Sequence, residues 1–266
     1  PLSHPFPPMR LLACLACLLG TAFAATPPLP RVLFFANPMT SDNDVIRRPR
    51  PDTLSVAERH FAALAAGQFA VTITQDGRDL GSRAALASFD LIVFFTAINP
   101  PGVDVDALVD WVRAGGAFGA IHSAANTYQR HAGFGALLGA RYDRRPWRTA
   151  AEPQTRARLR LDAPDDPIAR PFRADPAIAD DLYQFKEFDR AGVTLLLSLD
   201  PGGLDLQQPK MNRADTVLPV AWKRTVGRGR VFYTALGDWE ATWADPRYRA
   251  HLLAGLRWTL QRDDAR

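Results

Sequence analysis

Cysteine is almost missing from these 266 residues: the only two are Cys14 and Cys17, both near the N-terminus. Without that segment the chain can form no disulfide, no thiolate metal site and no cysteine nucleophile. Histidine is sparse as well, five in all, with no close pair. Neighbouring imidazoles that would hold zinc firmly are therefore lacking. No internal repeat or low-complexity stretch occurs, and no apolar run is long enough to span a bilayer. A large excess of one sign of charge is lacking too. The formal net charge is +4 and the pI about 9.4. The excess is arginine spread along the chain, including Arg141, Arg144, Arg145, Arg148, Arg156, Arg158 and Arg160. Aromatics are not interleaved with these arginines as a base-stacking surface requires, so they read as solvated surface and nucleic acid is not an expected partner. What remains is an ordinary globular balance, 47% hydrophobic and 23% charged.

The N-terminus reads as an export signal. Met9 and Arg10 precede an apolar run from Leu11 to Leu19, followed by Ala22-Phe23-Ala24. One positive charge, a short apolar core and an A-x-A site make a cleavable signal peptide over residues 9–24. Ala25 is the expected first mature residue, residues 25–30 a proline-rich spacer, and 31–262 one domain. Both cysteines fall inside the signal. The expected location is periplasmic or secreted, with no stable membrane insertion after cleavage.

From residue 31 the hydrophobic pattern alternates between strand and helix. Residues 31–36 and 91–95 are short continuous apolar runs, the mark of strands buried on both faces. Phe69 to Thr74 alternates and is β-branched. Thr53 or Ser55 can cap a helix to about Ala66. Asp104 can cap another that carries Val105, Leu108, Val109 and Val112 and stops at Gly115-Gly116. Ala117 to Ile121 is a fourth strand, running into His122 and a helical stretch to about Leu138. This alternation predicts an α/β fold with a doubly wound parallel sheet. The second half differs. Thr155 to Leu161 reads as a half-exposed strand. Leu195 to Leu199, Val217 to Trp222 and Arg230 to Ala235 are further strands, the last two joined by a turn at Gly227 to Gly229. A final helix covers about Pro246 to Leu260.

Three segments carry a family resemblance. The first is Trp111 to Thr127, ending Ala120-Ile-His-Ser-Ala-Ala-Asn-Thr127. The second is Asp180-Asp-Leu-Tyr-Gln-Phe185. The third joins Pro219-Val-Ala-Trp222, Gly227 to Gly237 and His251 to Trp258. In order and spacing they resemble the ThuA-like, trehalose-utilisation family. The resemblance implies a flavodoxin-like sheet of the class I glutamine amidotransferase type, mostly parallel, with antiparallel strands added in the second half. It also puts His122 at the elbow between strand and helix where those amidotransferases carry their cysteine. An imidazole is a poor substitute for a thiolate in thioester formation, so amidotransfer is not expected. It can act as general acid or base, or bind a metal. Ser123 lacks a surrounding G-x-S-x-G turn and is not an expected nucleophile.

By the same resemblance, Asp181 and Tyr183 fall in the family's acidic-aromatic motif, with Glu187 nearby. Asp238 stands where the family commonly places histidine. The family's other histidines, in the first loop and after Gly139-Ala-Arg-Tyr142, are absent here. One imidazole with scattered carboxylates makes a weak transition-metal site, so no metal and no cofactor are expected. The expected catalytic residues are His122, Asp238 and Asp181, with His122 and Asp238 facing each other and the carboxylate raising the imidazole pKa. Ser123, Asn126, Tyr183, Glu187 and Trp239 are the expected substrate contacts, the indole suited to a sugar face. His60 and His131 are read as ordinary helix residues and His251 as a packed one. The resemblance implies a small-molecule sugar as partner, trehalose or a related disaccharide or keto-sugar, and acid-base chemistry of a hydrolase, lyase or isomerase. A non-catalytic periplasmic sugar-binding module is the alternative.

Overall fold

The computed structural model describes residues 28–38, 44–212, 214 and 217–261. The expected export signal lies outside them. In chain order the elements are β1 (Arg31–Phe35), α1 (Val56–Ala65), β2 (Ala70–Thr74), α2 (Arg83–Leu86), β3 (Leu91–Phe94), α3 (Val105–Arg113), β4 (Ala117–Ile121) and α4 (Ala132–Leu138). There follow β5 (Arg141–Arg144), β6 (Thr155–Leu161), β7 (Ala177–Asp180), β8 (Gln184–Lys186), β9 (Thr194–Leu199), β10 (Pro219–Val226), β11 (Gly229–Thr234), α5 (Glu240–Ala244) and α6 (Pro246–Leu260).

Local chemistry explains the helix starts. Ser55 accepts from the Glu58 backbone N–H while the Glu58 carboxylate accepts from the Ser55 N–H, a complete capping box for α1. Asp104 accepts from the Ala107 N–H at the start of α3. The sheet order is β2-β1-β3-β4-β11-β10-β9-β6-β7. The first five strands are mutually parallel and the last four antiparallel, while β5 and β8 form a separate antiparallel pair. The parallel part has the flavodoxin-like order, which places ligand sites beyond the carboxyl ends of its strands.

Successive residues of β4 face opposite sides of the sheet. Phe118 meets Phe134 of α4 edge-on, with ring centroids 6.2 Å apart. Gly119 lies against α6 so closely that a Cβ would stand 2.6 Å from Leu256 Cδ2. Helices therefore cover both faces of the parallel region. Among the described residues no helix is long and apolar enough to cross a membrane.

Two expectations need correction. The chain after β4 is not helical through to Leu138. A five-residue 3-10 turn, His122–Asn126, is followed by a break before α4. The break has a cause: the Tyr128 N–H donates to Ile98 O at 2.7 Å and the Ile98 N–H to Asn126 O at 3.1 Å. These bonds tie residues 126–128 to the loop after β3. The helix N-terminus expected beside the elbow is thus only a short turn. The arginine-rich stretch is also not uniformly solvated. Arg141 is buried, and Arg145 and Arg148 turn inward.

Candidate active site

Strand β4 ends by delivering His122 in the left-handed backbone region, φ 44°. A non-glycine residue there is strained and persists only where its surroundings hold it. Here the Tyr233 hydroxyl donates to the His122 carbonyl at 2.8 Å. The ring is fixed at both nitrogens. Nδ1 lies 2.6 Å from the Ala235 carbonyl. A carbonyl only accepts, so Nδ1 carries a proton. Nε2 lies 2.6 Å from the Tyr183 hydroxyl and 3.2 Å from Asp238 Oδ1. The Tyr183 ring rests against the imidazole with centroids 4.3 Å apart.

The sequence places two more carboxylates beside this pair. Asp181, fully buried, accepts through Oδ2 from Arg145 Nη1 at 3.0 Å and from Arg148 Nη1 at 2.7 Å. Arg148 Nη1 also donates to Asp238 Oδ2 at 3.0 Å. Asp180, at the end of β7, does different work. Its carboxylate accepts from the backbone N–H of Gly237 at 2.8 Å and of Asp238 at 3.1 Å, and from the Thr242 hydroxyl at 2.8 Å. Gly237, at φ 124°, makes the sharp turn that hands Asp238 to the imidazole.

These contacts set the protonation states. Burial pushes the His122 pKa down, but the charge and hydrogen bond of Asp238, with Asp181 and Asp180 behind, outweigh it and hold the value at about 9. Burial pushes Asp238 up, yet His122, Arg148 and Arg145 bring it below the usual carboxylate range. Burial lifts Asp180 to about 6 against the pull of His122 and its hydrogen bonds. Burial, reinforced by the charges of Asp181 and Asp238, keeps the Tyr183 phenol well above its ordinary value. At neutral pH the centre is an imidazolium–carboxylate pair with an un-ionised phenol against it.

A cavity of about 540 Å³ opens above this centre. Ala97 and Ile98 come to it after β3, Ser123 and Asn126 after β4, and Asp238 and Trp239 after β11. All follow carboxyl ends of parallel strands. Tyr142, Arg145, Arg148 and Tyr183 form another part of the wall, and Asp44, Val45, Val56 and Glu240 the rest. Ile98 sits at φ 63° and is 39% exposed, an apolar group pinned at the mouth. Ser123 Oγ is buried and has no protein partner. His122, 1% exposed, does not line the cavity and lies beneath Tyr183 and Asp238.

The structure thus brings His122, Asp238, Asp181 and Tyr183 into one contact network, with Ser123, Asn126 and Trp239 at the cavity wall. It does not bring Glu187 there. Glu187 follows β8 at φ 55°, which turns its side chain away, and its carboxylate accepts from Arg141 Nε at 2.7 Å. Sequence reasoning missed Arg145, Arg148, Tyr142 and Asp180. The signal lay in the departure after Gly139-Ala-Arg-Tyr142, where the family's histidine gives way to arginines. Two other histidines are structural. His131 caps α4 by accepting from the Phe134 N–H, and His251 is buried between Ile168 O and Thr234 Oγ1.

His122, Asp181 and Asp238 each offer one donor atom, all within 4.8 Å of one another. A metal does not fit this arrangement as it stands. The Arg148 guanidinium already bridges the two carboxylates, and His122 Nε2 is engaged by Tyr183 and Asp238.

Comparison with known proteins agrees with the fold. Residues 39–259 match the family model for ThuA, trehalose utilisation. A ThuA-like protein from Bacteroides uniformis superposes with a TM-score of 0.70 at 20% identity, over 91% of this chain and 96% of that one. Another from Parabacteroides merdae gives 0.58 at 13% identity, over 88% and 91%. A cytoplasmic protein from Salmonella typhimurium gives 0.53 at 10% identity, over 87% and 99%. At such identities these likenesses speak for the fold alone. No curated protein matches the chain. With the family model covering most of its length, the chain belongs to the ThuA, trehalose-utilisation family.

Proposed function

We propose that this protein is an exported enzyme of carbohydrate metabolism that transfers a proton to or from a sugar derivative, with His122 as a buried proton store. The observation that carries the reading is the 2.6 Å contact between His122 Nε2 and the Tyr183 hydroxyl beneath the cavity. Because His122 is sealed from the cavity, Tyr183 is the group that meets the ligand. At neutral pH Nε2–H can be donated to the Tyr183 oxygen, leaving the phenolic proton for a ligand oxygen. Donation of that proton to the sugar, followed by transfer of Nε2–H to Tyr183, leaves neutral imidazole and an intact phenol. The reverse sequence takes a proton from the sugar. Asp238 stabilises the charged imidazole throughout. Ser123, Asn126 and Trp239 hold the sugar, the indole against its apolar face. Hydrolysis, elimination and isomerisation of a keto-sugar all need such a step.

A sugar-binding module is the second reading. The mutual pairing of Asp181 and Asp238 with Arg145 and Arg148 favours it, since it engages both carboxylates nearest His122. Incubation with trehalose, related disaccharides and their 3-keto derivatives separates the two. Turnover abolished by His122→Gln supports the enzyme, whereas saturable binding without turnover replaces it with the module.

Export rests on Arg10, the Leu11 to Leu19 run and Ala22-Phe23-Ala24. Intact mass of protein from its native host is expected to give a chain starting at Ala25. A cytoplasmic chain retaining Met9 overturns this.

A further inference from the structure

Two carboxylates converging in a buried site repel one another unless a cation stands between them. Asp181 is fully buried and Asp238 nearly so, and their Oδ2 atoms converge on a single nitrogen, Arg148 Nη1, at 2.7 and 3.0 Å. Together with His122 they form the one group of three potential metal ligands found among the described residues. Histidine and two carboxylates are donors that first-row divalent metals accept. The position between the carboxylates is nevertheless filled. Arg148 is 29% exposed along its side chain, so its stem reaches in from the loop after β5 rather than from the core. Its guanidinium is held on a second side by the Trp239 ring, 5.9 Å from Cζ to centroid. Arg145 adds a further donor to Asp181 at 3.0 Å. No such arrangement is needed merely to solvate an arginine, which water does at less cost.

We infer that Arg148 is the resident cation of a divalent-metal site: its guanidinium occupies the place between Asp181 and Asp238 that a metal would take with His122, and it keeps the site metal-free. The inference goes beyond the proton-transfer reading and does not depend on it. A guanidinium cannot be chelated away and needs no supply of metal. It polarises a ligand oxygen by hydrogen bonds rather than by coordination. It also leaves His122 Nε2 available to carry a proton, which a bound metal would displace.

The test uses the full mature chain and zinc as probe. Wild type, Arg148→Gln, Arg148→Lys and the double variant Arg148→Gln/His122→Gln are incubated with excess zinc and desalted. Bound metal is then measured by native mass spectrometry. Wild type and Arg148→Lys are expected to retain less than about a tenth of an equivalent, because each keeps a cation between the carboxylates. Arg148→Gln is expected to retain about one equivalent, lost in the double variant, because no cation then bridges the two carboxylates and zinc can displace the His122 Nε2 proton and the Arg145 contact. If Arg148→Gln unfolds without metal, zinc is expected to refold it, since a ligand that binds only the native state stabilises it. Stoichiometric zinc on wild type, removed by His122→Gln, overturns the inference. So does an Arg148→Gln chain that neither takes up zinc nor refolds with it. Sugar turnover is not the readout, so failure here leaves the acid-base reading standing, and failure of that reading leaves this one standing.

Discussion

His122, just past the end of β4, and His251, on α6, lie in two sealed regions against the same sheet and are held in nearly the same way. Each Nδ1 faces a backbone carbonyl, Ala235 at 2.6 Å and Ile168 at 2.7 Å. Each Nε2 faces a hydroxyl, Tyr183 at 2.6 Å and Thr234 at 3.1 Å. Yet His122 is held at about 9 and His251, by burial, at about 4. Burial lowers both, and each ring has a carbonyl at Nδ1 and a hydroxyl at Nε2, so these shared features do not set the two apart. Carboxylates decide it. Asp238 touches His122, while His251 is surrounded by Phe172, Phe232 and Tyr248. One imidazole is a store of charge and the other a neutral strut.

The sharpest way to break the contrast is Asp238→Asn. It removes the counter-ion while keeping the shape, so the His122 pKa is expected to fall below 6.5, toward the His251 case. Turnover on any substrate found is expected to drop by roughly 10²–10⁴-fold, the usual scale for loss of acid-base catalysis. Histidine-selective NMR titration beside steady-state kinetics checks both. Tyr183→Phe comes next. It leaves Asp238 in place, so His122 is expected to stay above its ordinary value, while kcat falls by about 10²-fold with KM within a few-fold. A rise in KM with kcat unchanged moves Tyr183 from proton transfer to simple binding.

Smaller effects sharpen the comparison through stability. His122 has a folded-state value above its unfolded value near 6.5. Its contribution is complete below pH 6.5 and drains away as pH rises through about 9. His251 is the opposite case, with a folded value near 4. As pH falls from 6.5 toward 4 the unfolded chain takes up a proton that the folded one refuses, and stability declines. Melting temperature against pH is therefore expected to fall on both flanks. His122→Gln should flatten the alkaline flank alone. The smallest expected effect is Thr234→Val, which strips His251 of its hydroxyl partner at a cost of about 1–2 kcal/mol and leaves turnover unchanged. Denaturant melts measure the first and kinetics the second.

The same contrast explains what could be read from the sequence. Strands β1, β3 and β4 are buried on both faces and announce themselves as apolar runs. His122 is visible because it ends such a run, and Asp238 because it follows β11 at a family position. His251 is visible as a packed residue because leucines follow it in a helix. Arg145 and Arg148 are not visible. Their long side chains enter from a loop without periodicity, where arginine ordinarily means surface. Strands β5, β7 and β8 have three or four residues each, too few for a pattern to accumulate. Glu187 was near the site in sequence but not in space, because one left-handed residue reverses the direction of its side chain.

Asp180 adds a consequence for when the centre exists at all. It ends β7, one of the two edge strands of the nine, which is held to the sheet by β6 alone. Its carboxylate is what grips the Gly237 and Asp238 backbone. Outer strands open in local excursions far more often than the whole domain unfolds. Each excursion of β7 releases the turn that presents Asp238, and His122 then loses its counter-ion while the parallel core stays intact. The lifetime of the charged centre is therefore set by this edge of the sheet, and slow amide exchange should extend through β4 and β11 but end before Asp180.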